Sequence, residues 1–253
     1  MRASLPMYGR PETAEAEGRL WADLRARLRT AGLDVPDRLE RPTDLFAHWR
    51  APDLAMAQTC GMQIATALRE QVTYVATPDF GLPGCARGSY MSVIIARAGT
   101  GDPADIAGRW LAYNDAFSQS GYAAALDWAA AQGARPAAFV HTGAHLASVA
   151  AVRDGRADWA AIDAQTWALA RRHAPEDVAG LAEIARTPQT PAPPFITAKG
   201  QDPAPVADAL ASAIAALAPE DRDALGLYGV VQLPLAAYDV YRLPPSPEAL
   251  AAE

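Results

Sequence analysis

Between residues 110 and 163 the chain repeats one unit three times: a short apolar run, a small polar turn, then a stretch with helical periodicity. The apolar runs are WLAYND, AAFVHTGAH and WAAID; the helical stretches after them are AAALDWAAAQ, LASVAAVRDGR and AQTWALARRH. Strands separated by helices cannot pair as tight antiparallel hairpins, so this spacing demands α/β architecture with crossovers between parallel neighbours. Each turn aims backbone N–H groups and hydroxyls outward from a helix N-terminus, which is how a protein holds an anion without lysine. Two of the turns carry Ser118, Ser120 and His145 at that spot.

The 253 residues are 51% hydrophobic and 20% charged, enough for one large core or two cores of about 100–150 residues each. A net charge of −7 argues against nucleic acid as a partner, and Arg19, Arg25, Arg27 and Arg29 read as a solvated helix face. No run reaches the roughly 18 apolar residues of a membrane span. The opening MRASLPMYGRPE has no secretory apolar region, which by itself points to the cytoplasm. Cys60 and Cys85 have no zinc spacing and are too few for a disulfide scaffold; they either pair or remain thiols. No phosphate-binding glycine loop, zinc-protease helix, serine elbow or dinucleotide fingerprint occurs, so neither cofactor nor metal is expected.

Along the chain, residues 3–8 read as a strand and 12–31 as a helix with Leu20, Trp21, Leu24 and Leu28 in one stripe and Gly32 at its C-terminal end. A short helix at 44–50, a strand at 53–59, a helix at 62–70 and a strand at 72–80 follow. His48 and His173 read as exposed, and His141 as structural. Residues 81–89 are a glycine-rich loop, and YMSVIIAR (90–97) is the strongest β run. The proline-dense 187–194 and the turn at 98–103 read as crossovers. They divide the chain into a discontinuous lobe, 1–98 plus 188–253, and a middle lobe, 99–187. Each is expected to be a mainly parallel sheet flanked by helices, with a ligand in the cleft between them.

The site residues each have a bland alternative. One serine suffices to cap a helix; Ser118 and Ser120 together with Gly121 exceed that need. His145 opens a helix, where the dipole disfavours the cation, so it is either a surface cap or a neutral donor to an anion. Asp163 ends the third strand as a cap or as an acceptor for a ligand amine or hydroxyl. Tyr8, Thr59 and Cys60 follow strands of the other lobe and either face the ligand or pack into a core; Tyr90 falls on either side of the pocket mouth. A thiol at a helix N-terminus has a lowered pKa, which leaves a nucleophilic role open to Cys60.

The segments NDAFSQSGY (114–122) and TGAHLASVAAVRDGRADWAAID (142–163) are similar to motifs of the phosphate/phosphite/phosphonate substrate-binding proteins of ABC transporters, and the likeness runs from ASLPMY to about Phe195. The resemblance implies the two-lobed type II periplasmic-binding-protein fold, a monomer, a periplasmic location and a transporter permease as partner. It also implies that Ser118, Gln119, Ser120, the backbone at Gly121, and His145 hold the oxyanion head of a small anionic ligand. Tyr8 resembles a position where an aromatic residue meets that ligand. Gln119 stands where the family usually has Thr, and Phe117 where a polar residue is common, so the resemblance leaves the ligand's identity open. A solute-binding role is the first expectation. The alternatives are a cytosolic enzyme using Cys60 and His145, or a ligand sensor on the same fold.

Overall fold

The computed structural model describes residues 1–252. The chain runs through β1 (Arg2–Ser4), α1 (Ala14–Thr30), α2 (Leu45–Trp49), β2 (Leu54–Gln58), α3 (Gly61–Ala65) and β3 (Val72–Asp79). It continues with β4 (Ser89–Tyr90), β5 (Ser92–Arg97), α4 (Pro103–Ala107), β6 (Trp110–Tyr113), a π-helical turn (Gln119–Ala123), α5 (Ala124–Ala131) and β7 (Ala138–His141). Then come α6 (His145–Arg153), β8 (Trp159–Asp163), α7 (Ala164–His173), β9 (Leu181–Arg186) and β10 (Thr190–Pro191). The last elements are β11 (Phe195–Ala198), α8 (Ala204–Ala216), α9 (Pro219–Leu225), β12 (Gly229–Val231) and α10 (Pro247–Ala251).

These elements group into two units. Met1–Ser89 packs with Pro191–Val240, and Tyr90–Thr190 packs with the tail from Tyr241 onward. This differs from the division expected at 98/99 and 187/188: the crossings fall at 89/90 and 190/191, and the tail changes unit. β5 is hydrogen-bonded to β8 and β9, so the strongest β run lies in the middle unit. The tail belongs there too: the Tyr122 hydroxyl donates to the Pro245 carbonyl at 2.9 Å.

The first unit holds a five-stranded sheet in the order β1-β2-β11-β3-β12. β1 and β2 are parallel, while β11 and β12 run against their neighbours. α1 buries the expected stripe, Leu20, Trp21, Leu24 and Leu28, and packs against α8 and α9. The helix stops where Gly32 takes φ 86°, its amide bonding the Arg29 carbonyl and the next amide reaching back to Leu28, the double closure that needs a left-handed residue. His48, expected on the surface, is buried instead. Its Nε2 lies 2.8 Å from the Ser4 hydroxyl, and burial pushes its pKa down.

The second unit holds a sheet in the order β7-β6-β8-β5-β9. β7, β6 and β8 are parallel neighbours, and β5 alone runs opposite, antiparallel to both β8 and β9. "Mainly parallel" therefore needs correction to mixed in both units. In each, the first full strand after the chain crosses over, β5 or β11, is antiparallel to its neighbours. β9 escaped the sequence reading because LAEIAR sits at a sheet edge, half-buried with one exposed residue, and lacks a clean alternation. The unit's core gathers Ile94, Leu111, Tyr122, Trp128 and Trp159, the two indoles 5.1 Å apart. Burial of such side chains stabilises by about 1.5–3 kcal/mol each.

Cys60 and Cys85 stand as two thiols, not a disulfide. One caps α3 after β2 and the other lies in the loop between β3 and β4. Among the described residues no helix is long and apolar enough to cross a membrane.

Candidate functional site

Because β7, β6 and β8 are parallel neighbours, the turns after them emerge at one edge of the second unit's sheet. The turn after β6 is built by Asp115, whose carboxylate accepts the Phe117 amide (2.7 Å) and whose carbonyl accepts the Ser118 amide (3.0 Å). Ser118 then caps the π-helical turn: its Oγ accepts the Gly121 amide at 3.1 Å, and its carbonyl accepts the Ala123 amide. The bland reading of Ser118 as a cap is thus correct, yet an accepting hydroxyl keeps its own proton to donate.

Ser120 is the serine beyond the capping need. Its Oγ lies 2.8 Å from His145 Nε2. Gly121 allows that approach, because a Cβ there would overlap Asn114 Oδ1 and come within 3.0 Å of His145 Cε1. Its φ is not positive, so the glycine serves close packing, not unusual backbone.

His145 is the first residue of α6, whose N-cap is Ala144 and has no side chain able to cap. The first amides of an α-helix have no partner within the helix, and Ala144 offers those of α6 no side-chain acceptor. Burial pushes the imidazole pKa down to about 4, so the ring is neutral near pH 7. The Ala161 carbonyl pulls slightly the other way, but no acceptor meets the buried Nδ1 at hydrogen-bond geometry. No charged side chain contributes to the shift. The cluster is therefore a set of uncharged donors at two helical N-termini, suited to an oxyanion.

The remaining candidates divide. Gln119 is buried in the turn beside Ser118 and Ser120. Asp163 reaches the same sheet edge, but its carboxylate accepts the Gln165 amide at 2.8 Å and the Thr166 amide at 3.0 Å, the work of an N-cap. Tyr90 is buried in β4. In the first unit, Tyr8 packs edge-on against Phe80 at 5.1 Å, and Thr59 is fully buried with its hydroxyl unpartnered. The half-buried Cys60 opens the five-residue α3. Tyr8, Thr59 and Cys60 belong to one unit and the Ser120–His145 pair to the other. Among the described residues, no group of three His, Cys, Asp or Glu side chains could hold a metal ion.

Two residues of the cluster were not singled out from sequence. Asn114, at the end of β6, presses its Oδ1 against Gly121. Ser92 donates to the Ser120 carbonyl at 2.8 Å. A lone hydroxyl inside the apolar run YMSVIIAR was the available signal for Ser92.

A model of a protein family described as "ABC transporter, phosphonate, periplasmic substrate-binding protein" matches residues 11–241. No curated protein matches the chain. Among solved structures, PhnD1 from Prochlorococcus marinus in complex with methylphosphonate is similar with a TM-score of 0.73 and 14% identity, covering 95% of this chain and 94% of that one. A binding-protein component of an ABC phosphonate transporter from Pseudomonas aeruginosa gives 0.59 and 15%, covering 90% and 81%. MatC from Rhodopseudomonas palustris with bound malate gives 0.61 and 14%, covering 100% and 94%. At these identities the likeness to the solved structures is one of fold, the mixed α/β fold of type II periplasmic binding proteins.

Proposed function

The chain belongs to the family of phosphonate-binding periplasmic substrate-binding proteins of ABC transporters, and from that premise we propose that it captures a small phosphonate-like oxyanion at the Ser118–Ser120–His145 cluster. The Ser118 and Ser120 hydroxyls, the backbone at Gln119–Gly121 and the His145 ring hold the anionic head, and the Gln119 amide reaches the ligand beside them. The protein then works outside the cytoplasm, delivering its cargo to a permease. Domain closure in such proteins is driven by contacts made only in the closed state.

One observation carries the reading. Ser120 Oγ and His145 Nε2 meet at 2.8 Å at the start of α6, whose N-cap Ala144 offers its first amides no side-chain acceptor. Such donors favour an incoming oxyanion, because their hydrogen bonds to a charged acceptor are roughly twice as strong as neutral ones. The neutral imidazole supports an anion of low charge, since no lysine or arginine in this cluster offsets the cost of removing a multivalent ion from water.

The test is a thermal-shift and calorimetric comparison of phosphate, phosphite, methylphosphonate and 2-aminoethylphosphonate. A ligand at 100 times its Kd stabilises the folded state by about 2.7 kcal/mol. Ser120→Ala and His145→Ala are each expected to weaken binding at least tenfold while the protein stays folded. Wild-type affinity in both variants removes the site assignment. Cys60→Ala is expected to bind as wild type does and to leave any bound ligand chemically unchanged; a conversion that needs the thiol would return the enzyme alternative.

A further inference from the structure

Ser92 and Thr187 form a reciprocal pair inside the second unit. The Ser92 amide donates to Thr187 Oγ1 at 2.9 Å, and the Thr187 amide donates to the Ser92 carbonyl at 3.0 Å. With both backbone groups so engaged, the Ser92 hydroxyl reaches 28 residues along the chain to the Ser120 carbonyl, at 2.8 Å. All three residues are buried. Ser92 opens β5 opposite Asp163, the residue that caps α7, so this clamp sits at the same sheet edge as the oxyanion turn.

The position of the pair along the chain gives it a further role. Ser92 lies just after the crossing at Ser89/Tyr90, and Thr187 just before the crossing at Thr190/Pro191. The two segments through which the chain enters and leaves the middle unit are thus hydrogen-bonded to each other and, through one hydroxyl, to the backbone of Ser120. A serine hydroxyl in a strand can be satisfied by any nearby carbonyl. Here it fixes the residue whose own Oγ meets His145.

We propose that Ser92 and Thr187 are positioning residues for the oxyanion site: they hold the Ser120 backbone so that its hydroxyl faces the ligand, and they tie occupancy of that site to the segments carrying the crossings. The inference rests on the reading of Ser120 as a ligand donor. Neither residue touches the ligand; both act through Ser120.

The test measures methylphosphonate binding by calorimetry and amide hydrogen exchange in the whole protein. Ser92→Ala is expected to weaken affinity about tenfold, which corresponds to about 1.4 kcal/mol. Ser92→Thr, which keeps the hydroxyl, is expected to recover most of it. In a Ser120→Ala background, Ser92→Ala should cost far less, because the clamp then positions nothing that donates from the side chain. Thr197→Val is the control for lost stability alone: this equally buried hydroxyl in the first unit bonds the Leu54 carbonyl at 3.1 Å, and its loss should leave affinity within twofold of wild type. Ligand is expected to slow exchange at the Thr187 amide in wild type and not in Ser92→Ala. If Ser92→Ala does not fold, Thr187→Val carries the same expectations. Wild-type affinity in Ser92→Ala or, failing that variant, in Thr187→Val, with Ser120→Ala impaired, overturns this inference alone. A wild-type protein that binds none of the four anions overturns the site reading and this inference together.

Discussion

Replacing Gly121 with alanine tests the packing at the heart of the site. An ideal Cβ at that position falls on Asn114 Oδ1, 2.8 Å from Asn114 Cγ and 3.0 Å from His145 Cε1. The backbone there is open to any residue, so the whole penalty is steric. Asn114 is the harder obstacle, because its side chain is short and its Oδ1 is already enclosed. Overpacking of this kind costs about 1–3 kcal/mol. For a chain of this size each kcal/mol moves Tm by about 2–4 °C, so Gly121→Ala should unfold about 2–12 °C earlier. Relief of the clash displaces His145 or the Ser120 turn, so methylphosphonate affinity should fall with stability. The partner variant Asn114→Ala removes the obstructing atoms and leaves only the 3.0 Å approach to His145, which a few tenths of an ångström relieves. Scanning calorimetry of the four-member cycle should give a coupling of at least about 1 kcal/mol, with Gly121→Ala nearly harmless once Asn114 is truncated. A penalty of equal size with and without the Asn114 side chain, or no penalty at all, would falsify the argument.

Acid should destabilise the protein through His145. Its folded pKa, about 4, lies below the ordinary 6.5, so the unfolded chain takes up the proton first. Stability is intact above pH 6.5, falls as pH drops through the window from 6.5 to about 4, and loses about 3 kcal/mol in full. Urea titrations should show this loss in wild type and its absence in His145→Gln, with His48 adding a loss of the same sign in both. Asp163→Ala strips two amides of α7, one of them buried, of their acceptor and should cost about 2 kcal/mol in the same titration, whereas Asp163→Asn should keep both the cap and the ligand affinity. A denaturing thiol titration without reductant should find two thiols per chain; none would restore the Cys60–Cys85 disulfide.

What the sequence made legible was local and periodic. The α1 stripe, the Gly32 stop and the three strand–turn–helix units are encoded in neighbouring residues, so they could be read directly. The pairing of Ser120 with His145 also lay within reach, because two parallel neighbouring strands deliver their turns to one edge. Direction within the sheets was not legible. β5 and β11 run against their neighbours, and no residue pattern within those strands records it. His48 looked like a surface residue because its partner, Ser4, is 44 positions away. The Ser92 and Asn114 contacts are tertiary in the same sense: a hydroxyl in a strand and an amide at a strand end gain their meaning only from what folds onto them.

The tail that returns to the middle unit has a practical meaning. Tyr122 follows Gly121 and its hydroxyl, with a pKa pushed up to about 12 by burial, has its acceptor in Pro245. A fragment cut as the continuous block 90–190 would expose that hydroxyl and loosen its ring, which packs tilted against Tyr113 at 5.1 Å. The smallest portable version of the proposed anion site is accordingly two pieces of chain, the block and its C-terminal strap, and a graft that carries only the first should arrive with a slack Ser118–Tyr122 turn.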